Sequence, residues 1–355
     1  MKYYSQFKTL IDILKQRGIV NGILTFVNAA ILKIFNRIHY YPDGYSYHYI
    51  RNIQLEPTKL CNMACPMCLN PYLDKSEKGN LSYEKFKKII KQFPFLTTVR
   101  LQGLGESLLN PDIYKMISYL KRKGVSVGFA DNGTMLTPKT IHKLLGLKVN
   151  YIALSLDTLN REKFRLIRGV DLFDNVKKNI ENLVKIKKGN FNYKATRIII
   201  NMVLSNDNVN ELSDMIDYAH KLGIKELIIS SLQPKYSKQQ KDYLKEISNE
   251  LQNPNFMEGI YNHAKLKAKK YGIVLSFNNL HPQRAIDCLW NFEMTYITWD
   301  GYLTPCCHID NPSIYNFGNI LNEPFKKVWN NQLYRSYRTK HLDAVGVCRS
   351  CPHLQ

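Results

Sequence analysis

Three cysteines close together near residue 60 are the residues whose types and spacing most clearly indicate chemistry. Cys61, Cys65 and Cys68 stand in the pattern C-x3-C-x2-C. Thiolates hold [4Fe–4S] clusters, which usually take four cysteine ligands. Three cysteines in this run can hold one cubane and leave one iron without a protein ligand. That iron is then able to bind a substrate or cofactor directly.

Two other chemistries use clustered cysteines. A structural zinc site takes four protein ligands and a catalytic one takes three plus water, and zinc motifs usually pair two C-x2-C units. A disulfide framework is typical of short secreted chains, whereas this chain has 355 residues and no recognisable secretory signal. The spacing therefore favours an iron–sulfur site.

The other five of the eight cysteines lie toward the C-terminal end and form a second group. Its members are Cys288, Cys306, Cys307, Cys348 and Cys351. Since the cysteines occur in metal-ligand clusters, we expect a reducing compartment and a cytoplasmic protein.

The elements that must position these residues alternate along the chain. Predicted strands are Asn52–Glu56, Thr98–Gln102, Ser126–Ala130, Tyr151–Leu156, Arg197–Val203 and Glu226–Ser230. Predicted helices between them include Tyr83–Phe93, Asp112–Lys123, Pro138–Leu145 and Asp174–Lys187. Strands alternating with helices form βαβ units and a parallel sheet. The sequence therefore predicts an α/β fold, a partial (β/α)6 TIM-type barrel, with the cysteine loop at the strand end where barrel chemistry occurs.

The run Leu55-Glu56-Pro57-Thr58-Lys59-Leu60-Cys61, followed by Met67-Cys68, resembles the opening of the radical S-adenosylmethionine (SAM) enzymes. In that family the open iron is chelated by SAM, and an electron from the cluster breaks the sulfur–C5′ bond. The resulting 5′-deoxyadenosyl radical abstracts hydrogen from an unreactive C–H bond. The resemblance places Met67 against the adenine ring, where its soft apolar side chain can pack.

Later strand ends resemble the family's SAM-binding segments. Gly105-Glu106 resembles a Gly-Gly-Glu motif whose backbone holds the SAM amino group, although Leu104 interrupts the glycine pair. The segment Asp131-Asn132-Gly133-Thr134 resembles Thr-Asn-Gly-Thr, although Asn-Gly alone is also a common turn.

The fourth and fifth predicted strands carry further candidates for SAM binding. Ser155 and Asp157 lie on one side of their strand because side chains alternate, and in the family this position faces the SAM ribose and carboxylate. Arg165 and Arg168 follow on a short helix. A guanidinium on either could pair with the carboxylate, and each could equally lie on a solvated basic face. Asn201 is a further possible contact.

The C-terminal segment resembles the SPASM extension of radical SAM enzymes, in its shortened "twitch" form. The resemblance rests on the run Asp300–Cys306, then Phe317-Gly318-Asn319-Ile320 and Val328-Trp329, and the final C-x2-C pair. It implies one auxiliary [4Fe–4S] cluster held by Cys288, Cys306, Cys348 and Cys351. Cys307 is then spare, unless it exchanges with Cys306. A structural zinc site on the same four cysteines is the alternative.

Two residues beside this group are candidates for catalysis. A spare Cys307 facing the barrel mouth could return a hydrogen atom, as the thiol of an epimerase does. Asp287, next to Cys288, could act as a general base, although a capping or surface role also fits it.

The N-terminal segment, residues 1–50, lies outside the predicted barrel. The stretch Ile19 to Leu32 is uncharged and is flanked by Lys15 and Arg17 on one side and by Lys33 and Arg37 on the other. It is shorter than the roughly 20 apolar residues that a spanning helix needs. Either a helical hairpin docked on the barrel or an interfacial amphipathic helix fits it. Residues 1–40 would then provide peripheral contact with the inner face of the membrane.

The net charge of +21 favours polyanions or anionic membranes. Lys and Arg are dispersed and no nucleic-acid-binding module is recognisable, so we expect no specific nucleic-acid partner. Residues 51–235 are the predicted barrel. Residues 236–355 are predicted to form linker helices and the auxiliary cluster domain.

The expected function is that of a radical SAM enzyme with two [4Fe–4S] clusters. The auxiliary cluster would assist oxidation, cross-linking or epimerisation of a small-molecule, lipid-linked, sugar or peptide substrate. A flavodoxin or ferredoxin would supply electrons. The alternative is a non-catalytic iron–sulfur electron-transfer or zinc-binding protein on the same fold, which needs no SAM-binding residues at the strand ends.

Overall fold

The computed structural model describes residues 19–38, 42–231, 254–278, 288, 290 and 292–341. Ten strands among them form one sheet in the order β10-β9-β8-β1-β2-β3-β4-β5-β6-β7. The strands are β1 Asn52–Leu55, β2 Thr98–Leu101, β3 Ser126–Asp131, β4 Tyr151–Ser155, β5 Arg197–Leu204, β6 Glu226–Ser231, β7 Val274–Asn278, β8 Met294–Ile297, β9 Tyr302–Thr304 and β10 Gly318–Asn319.

The barrel part of the sheet is parallel. Strands β1 to β7 pair in parallel, each with the next along the chain. Strand β8 pairs in parallel with the other edge of β1, while β9 and β10 continue from it as antiparallel strands. The predicted α/β partial barrel is confirmed. All six predicted strands are present, and β7 and β8 extend the sheet on both sides.

Ten α-helices are described. They are α1 Ile19–Ile38, α2 Tyr83–Lys91, α3 Ile113–Arg122, α4 Pro138–Gly146, α5 Arg161–Arg168, α6 Phe173–Lys188, α7 Leu212–Leu222, α8 Pro254–Lys270, α9 Phe325–Trp329 and α10 Gln332–His341. Helix α2 is typical of the outer layer. Ser82 caps it by accepting from the Lys85 backbone N–H at 3.3 Å. Phe86, Ile89 and Ile90, at helical spacing, are buried against the sheet.

The two faces of the sheet differ in chemistry. In β3, Val127 and Phe129 belong to the apolar core under the helices. Gly128 and Ala130 alternate with them and therefore face the concave inner side of the sheet. We call this concave inner side the lumen. The helix-facing rows are aliphatic and hold the barrel together, which leaves the lumen available for polar side chains.

Helix α1 buries two polar side chains and exposes several large apolar ones among its described side chains. Asn28 Nδ2 donates to the Tyr49 carbonyl at 2.9 Å and Asn28 Oδ1 accepts from the Tyr49 N–H at 3.0 Å. Thr25 and Leu32 are also buried. The exposed large side chains of the helix are Ile23, Leu24, Phe26, Val27 and Ile31. The described helix thus contacts the rest of the protein through Asn28 and keeps an exposed apolar face, while the hairpin and the membrane contact stay predictions.

None of the helices in the described part of the chain is long and apolar enough to span a bilayer. Several predictions fall outside the described residues: the first 18 residues of the N-terminal segment, the start of the predicted linker at residues 236–253, Asp287, Cys348 and Cys351. The boundaries drawn at residues 50 and 235 stay predictions.

Candidate SAM and iron–sulfur site

The loop that carries Cys61, Cys65 and Cys68 leaves the C-terminal end of β1, and all three thiols are partly exposed. The loop is held against the segment that follows β2, because the Glu106 N–H donates to the Leu60 carbonyl at 2.8 Å. Gly105 makes this approach possible. A Cβ at Gly105 would lie 2.4 Å from the Thr58 carbonyl oxygen and 2.5 Å from that of Leu60. The glycine thus lets two site loops lie backbone against backbone.

The C-terminal end of α5 closes on the same loop. The Ala64 N–H donates to the Arg168 carbonyl at 3.2 Å. Gly169 caps the helix with a φ of +69°, and a Cβ there would lie 2.3 Å from the Ala64 carbonyl oxygen. A left-handed residue at this position favours glycine. The helix end therefore carries Arg168 to the cysteines.

Arg168 and Asp157 form a buried ion pair, with Arg168 Nη2 2.5 Å from Asp157 Oδ2. The other Asp157 oxygen accepts from the Val203 N–H at 2.8 Å. The pair is not aligned as a hydrogen bond, so Asp157 Oδ2 and Arg168 Nε keep unused hydrogen-bonding capacity. Burial opposes the Arg168 charge, but the Asp157 carboxylate and the nearby Cys65 outweigh it and raise the pKa of Arg168.

Arg165, the other predicted arginine, is exposed on the outer side of α5. The structure therefore brings only Arg168 of the two to the cysteine loop. Since both arginines follow the same strand on one short helix, the sequence pattern could not separate them.

A polar network ties the cysteine loop to the end of β3. Asn132 Nδ2 donates to Asn62 Oδ1 at 2.9 Å, and Asn62 Nδ2 donates to Thr134 Oγ1 at 2.8 Å. Glu106 holds the Asn132 backbone in place, because Glu106 Oε2 accepts from the Asn132 N–H at 2.8 Å. Asn132 and Glu106, both predicted from the family motifs, therefore meet at one place.

Glu106 and Asp131 lie beside each other, and both carboxyl groups are buried. Burial and the neighbouring Asp131 charge raise the pKa of Glu106 well above its usual range. Burial raises the pKa of Asp131 to about 6. A protonated Glu106 can donate to Asp131, so the pair stays together without two adjacent buried charges.

Ser155 and Asn201 lie opposite each other on β4 and β5, on the luminal side. Both are partly exposed, and Asn201 Oδ1 accepts from Ser230 Oγ at 3.4 Å. Met67 is also partly exposed beside Cys68. All three predicted contacts are therefore accessible to a ligand.

Glu56 is a site residue to which the sequence pattern assigned no role. Its Oε1 accepts from the Leu104 N–H and from the Tyr296 hydroxyl, each at 3.0 Å, and its Oε2 accepts from the Trp299 N–H at 3.3 Å. Burial raises the pKa of Glu56 to about 7. The carboxyl group joins the β1 end, the Gly105 loop and the segment that precedes the C-terminal cysteines. The sequence offered one signal for this role, since Glu56 is a charged residue that directly follows the apolar end of β1.

The C-terminal cysteines described are Cys288, Cys306 and Cys307, all partly exposed. Burial raises the pKa of the Cys306 thiol, as do the neighbouring Cys307 and Cys288 thiols, while backbone N–H groups of His308 and Ile309 oppose the shift. The three thiols therefore lie in one neighbourhood. The choice between Cys306 and Cys307 as a ligand stays open.

The first cysteine group suits an iron–sulfur cluster. The buried Arg168 guanidinium lies near Cys65 and Cys68. No three His, Cys, Asp or Glu side chains of the described ranges converge on one point as ligands of a single ion would. This spacing is compatible with a cubane, whose thiolates bind separate irons.

Comparison with known proteins gives the same two-part organisation. Residues 55–219 match the radical SAM superfamily, and residues 288–352 match SPASM, an iron–sulfur cluster-binding domain. The chain is 26% identical over 304 residues to the tungsten-containing aldehyde ferredoxin oxidoreductase cofactor-modifying protein of Pyrococcus furiosus, covering 81% of this chain and 83% of that protein.

Two further likenesses cover most of the chain. The chain is 25% identical over 323 residues to the AdoMet-dependent heme synthase of Methanosarcina barkeri, covering 85% of this chain and 88% of that protein. The crystal structure of Streptococcus suis SuiB bound to S-adenosylmethionine superposes with a TM-score of 0.66, at 16% identity, covering 86% of this chain and 73% of SuiB. The latter likeness concerns the fold.

The two matched domains imply [4Fe–4S] clusters and SAM as the cofactors. The order of the domains also agrees with the order of the two cysteine groups in the structure. The chain belongs to the radical SAM superfamily and carries a C-terminal SPASM domain.

Proposed function

We propose that this chain is an enzyme that cleaves SAM reductively and abstracts hydrogen from an unactivated C–H bond of its substrate. One observation carries the proposal: the Gly105 loop, the Asn132 turn and the Arg168 end of α5 all contact the cysteine loop. An electron carrier on this fold would not need these three segments to converge.

Cys61, Cys65 and Cys68 are the proposed ligands of the SAM-binding cluster. When bound, that cluster supplies the electron that breaks the SAM sulfur–C5′ bond. Arg168 neutralises negative charge at the thiolates, and its unused Nε is suited to the SAM carboxylate. Asp157 fixes the guanidinium through the ion pair.

The remaining residues of the site bind and orient SAM in this proposal. The backbone at Gly105 and Glu106 receives the SAM amino group, and Met67 packs on adenine. Ser155 and Asn201 face the ribose from the luminal side of β4 and β5. Asn132 holds the cysteine loop in place through Asn62.

The second cluster is proposed to lie on Cys288 and Cys306, with Cys348 and Cys351 as the remaining ligands. It would accept an electron from a substrate radical during oxidation or cross-linking, whereas epimerisation would need a hydrogen atom returned by a thiol. A flavodoxin or ferredoxin is proposed to reduce the SAM-binding cluster. Cys307 is proposed as a spare thiol that returns a hydrogen atom, and Asp287 as a general base. The relatives are named for different substrates, a tungsten enzyme cofactor and heme, so a small-molecule, lipid-linked or peptide substrate remains proposed by class only.

Metal analysis distinguishes the enzyme from a zinc protein. Anaerobically reconstituted protein should contain close to two [4Fe–4S] clusters, and replacing Cys61, Cys65 and Cys68 together by Ala should leave one. Iron, acid-labile sulfide and zinc are measured on the same samples. Zinc in the C-terminal site with no iron or sulfide would contradict the proposal.

We also propose that α1 binds the surface of an anionic membrane. Four of its apolar side chains are about half exposed: Ile23 at 51%, Leu24 at 47%, Phe26 at 54% and Val27 at 45%. Lys33 and Arg37 follow at the end of the helix, and the chain as a whole carries a net charge of +21. An apolar face next to cations is the pattern of an interfacial helix.

The position of α1 determines how the barrel would be oriented. Asn28 joins α1 to Tyr49, which lies just before the N-terminal end of β1, whereas the cysteine loop leaves its C-terminal end. Membrane contact through α1 would therefore anchor the enzyme on the inner face of the membrane with the SAM site turned away. This arrangement weakens the case that a bilayer-embedded lipid is the substrate.

A further inference from the structure

The floor of the lumen carries a row of polar side chains that SAM binding does not use. Strand register aligns Tyr296, Gln54, Arg100, Gly128, Tyr151 and Arg197 across five parallel strands and β8. Their neighbours in each strand, such as Val99 and Ile152, belong to the core under the helices. Alternation therefore directs this row into the lumen.

Arg100 is the unneutralised cation of this row among the described residues. Its side chain is exposed and makes no ion pair with any residue that the structure describes. Arg197, in the same row, is paired with Glu226 through a bidentate contact and is already neutralised. Arg100 thus keeps its full hydrogen-bonding capacity for another anion.

Two neutral donors flank Arg100. Gln54 is buried, with only 4% of its surface exposed, and its amide has no hydrogen-bond partner in the described part of the chain. On the other side, a Cβ at Gly128 would lie 2.2 Å from the Tyr151 ring. The glycine therefore lets that ring lie across β3 toward Arg100. Burial raises the pKa of Tyr151, so its hydroxyl keeps its proton and is able to donate.

We propose that Gln54, Arg100 and Tyr151 form a subsite, here called the floor subsite, that binds an anionic group of the substrate, a carboxylate or a phosphate. A guanidinium flanked by neutral donors matches the planar, bidentate geometry of such groups. The Gln54 amide adds a donor that no described residue uses. The inference rests on the proposed enzymatic function, because it assigns a substrate class to the same lumen.

The distance to the SAM site fits this role. Tyr151 precedes Ser155 by four residues in β4, which corresponds to roughly 13 Å along a parallel strand. A substrate anchored by its anionic group at the floor subsite would extend its carbon skeleton upward to the residues proposed to face SAM. The floor subsite thus fixes one end of the substrate and leaves the C–H bonds farther along it for the reaction.

The test uses inorganic phosphate and acetate as probes, with acetamide as the neutral counterpart of acetate. Binding to the reconstituted full chain is measured calorimetrically at low ionic strength, without reductant and with saturating SAM so that the SAM carboxylate site is filled. Wild-type protein should bind at least one of the two anions and should not bind acetamide. Preference for one anion identifies the anionic group as carboxylate or phosphate.

Variants assign that binding to the floor subsite. Arg100→Gln should raise the dissociation constant of the bound anion at least fivefold, Tyr151→Phe by about twofold to threefold, and Arg100→Lys should retain part of the affinity because it keeps the charge. Arg122→Gln is the matched control, since Arg122 is an exposed arginine on the outer helix α3. Each variant is checked for iron content to confirm folding.

Two results would overturn the inference: wild-type protein that binds neither anion, or Arg100→Gln and Arg100→Lys proteins that both bind as tightly as wild type. Neither result affects the proposed function, which is judged by SAM cleavage under reducing conditions. Conversely, a protein that binds the anion but does not cleave SAM would contradict the proposed enzymatic function and would still support an anion site in the barrel.

Discussion

The Arg168 guanidinium lies 2.5 Å from the Asp157 carboxylate, and both side chains are buried. Removing one partner of a buried pair leaves an uncompensated charge, which typically costs about 3–5 kcal/mol. We therefore expect Arg168→Gln to lower the thermal unfolding midpoint and to weaken SAM binding at least tenfold.

The exposed Arg165 on the same helix provides the comparison. Arg165→Gln should change stability by no more than about 0.5 kcal/mol, as exposed substitutions usually do, and should leave the SAM dissociation constant near that of wild type. If Arg165→Gln weakened SAM binding more than Arg168→Gln did, the proposed contact between Arg168 and the SAM carboxylate would be wrong.

Gly105→Ala should damage the first cluster site selectively. The added methyl group would lie 2.4 Å and 2.5 Å from two backbone oxygens of the cysteine loop, and neither can move without displacing the loop. We expect iron content after reconstitution to fall toward that of a single cluster. Gly146→Ala is the control, since a Cβ there meets nothing within 4 Å. Equal iron content in the two variants would show that the close approach is unimportant.

Glu56 should make stability depend on pH. Its pKa is raised from 4.5 to about 7 in the folded protein, so the folded state binds a proton that the unfolded state has already lost between these values. Stability from Glu56 is therefore fully present below pH 4.5 and is lost as pH rises through 7. Thermal unfolding followed from pH 5 to 8 should show a downward slope that Glu56→Gln reduces. If the slope were unchanged in the variant, the pH dependence of stability would come from other buried acids, such as Asp131.

The apolar face of α1 is tested with vesicles. Wild-type protein should co-sediment with anionic vesicles, and the double substitution Ile23→Ser, Phe26→Ser should reduce the bound fraction several-fold. Salt should weaken binding, because exposed charges are screened over roughly 8 Å at physiological ionic strength. Leu266→Ser is the matched control, since Leu266 is 71% exposed on α8. Deleting residues 1–40 should abolish binding without loss of iron. If instead the deletion makes the protein insoluble and wild type ignores vesicles, α1 has a structural role alone.

Local sequence patterns were enough to predict most of the fold. All six strands predicted from the alternation are present, because each is a short aliphatic run bounded by turn residues. The cysteine spacing, Gly105 and Asn132 were recognisable because each lies in a short contiguous motif. The separation of Arg168 from Arg165 was not predictable, since it depends on which side of α5 meets Ala64.

Contacts between distant segments were the part that the sequence could not reveal. Glu56 reaches Tyr296, which lies 240 residues later, and no periodicity links them. Strands β7 and β8 extend the barrel from beyond the predicted six units. The outward apolar face of α1 was not predictable, because its buried side combines the polar Thr25 and Asn28 with Leu32.

Product analysis after reduction tests the central claim most directly. Reconstituted protein mixed anaerobically with SAM and dithionite should release 5′-deoxyadenosine and methionine slowly, even without substrate, and Cys65→Ala should abolish this release. Both products are quantified by chromatography and mass spectrometry. A wild-type protein with an intact, reducible cluster that neither binds nor cleaves SAM would contradict the account and support an electron-transfer role.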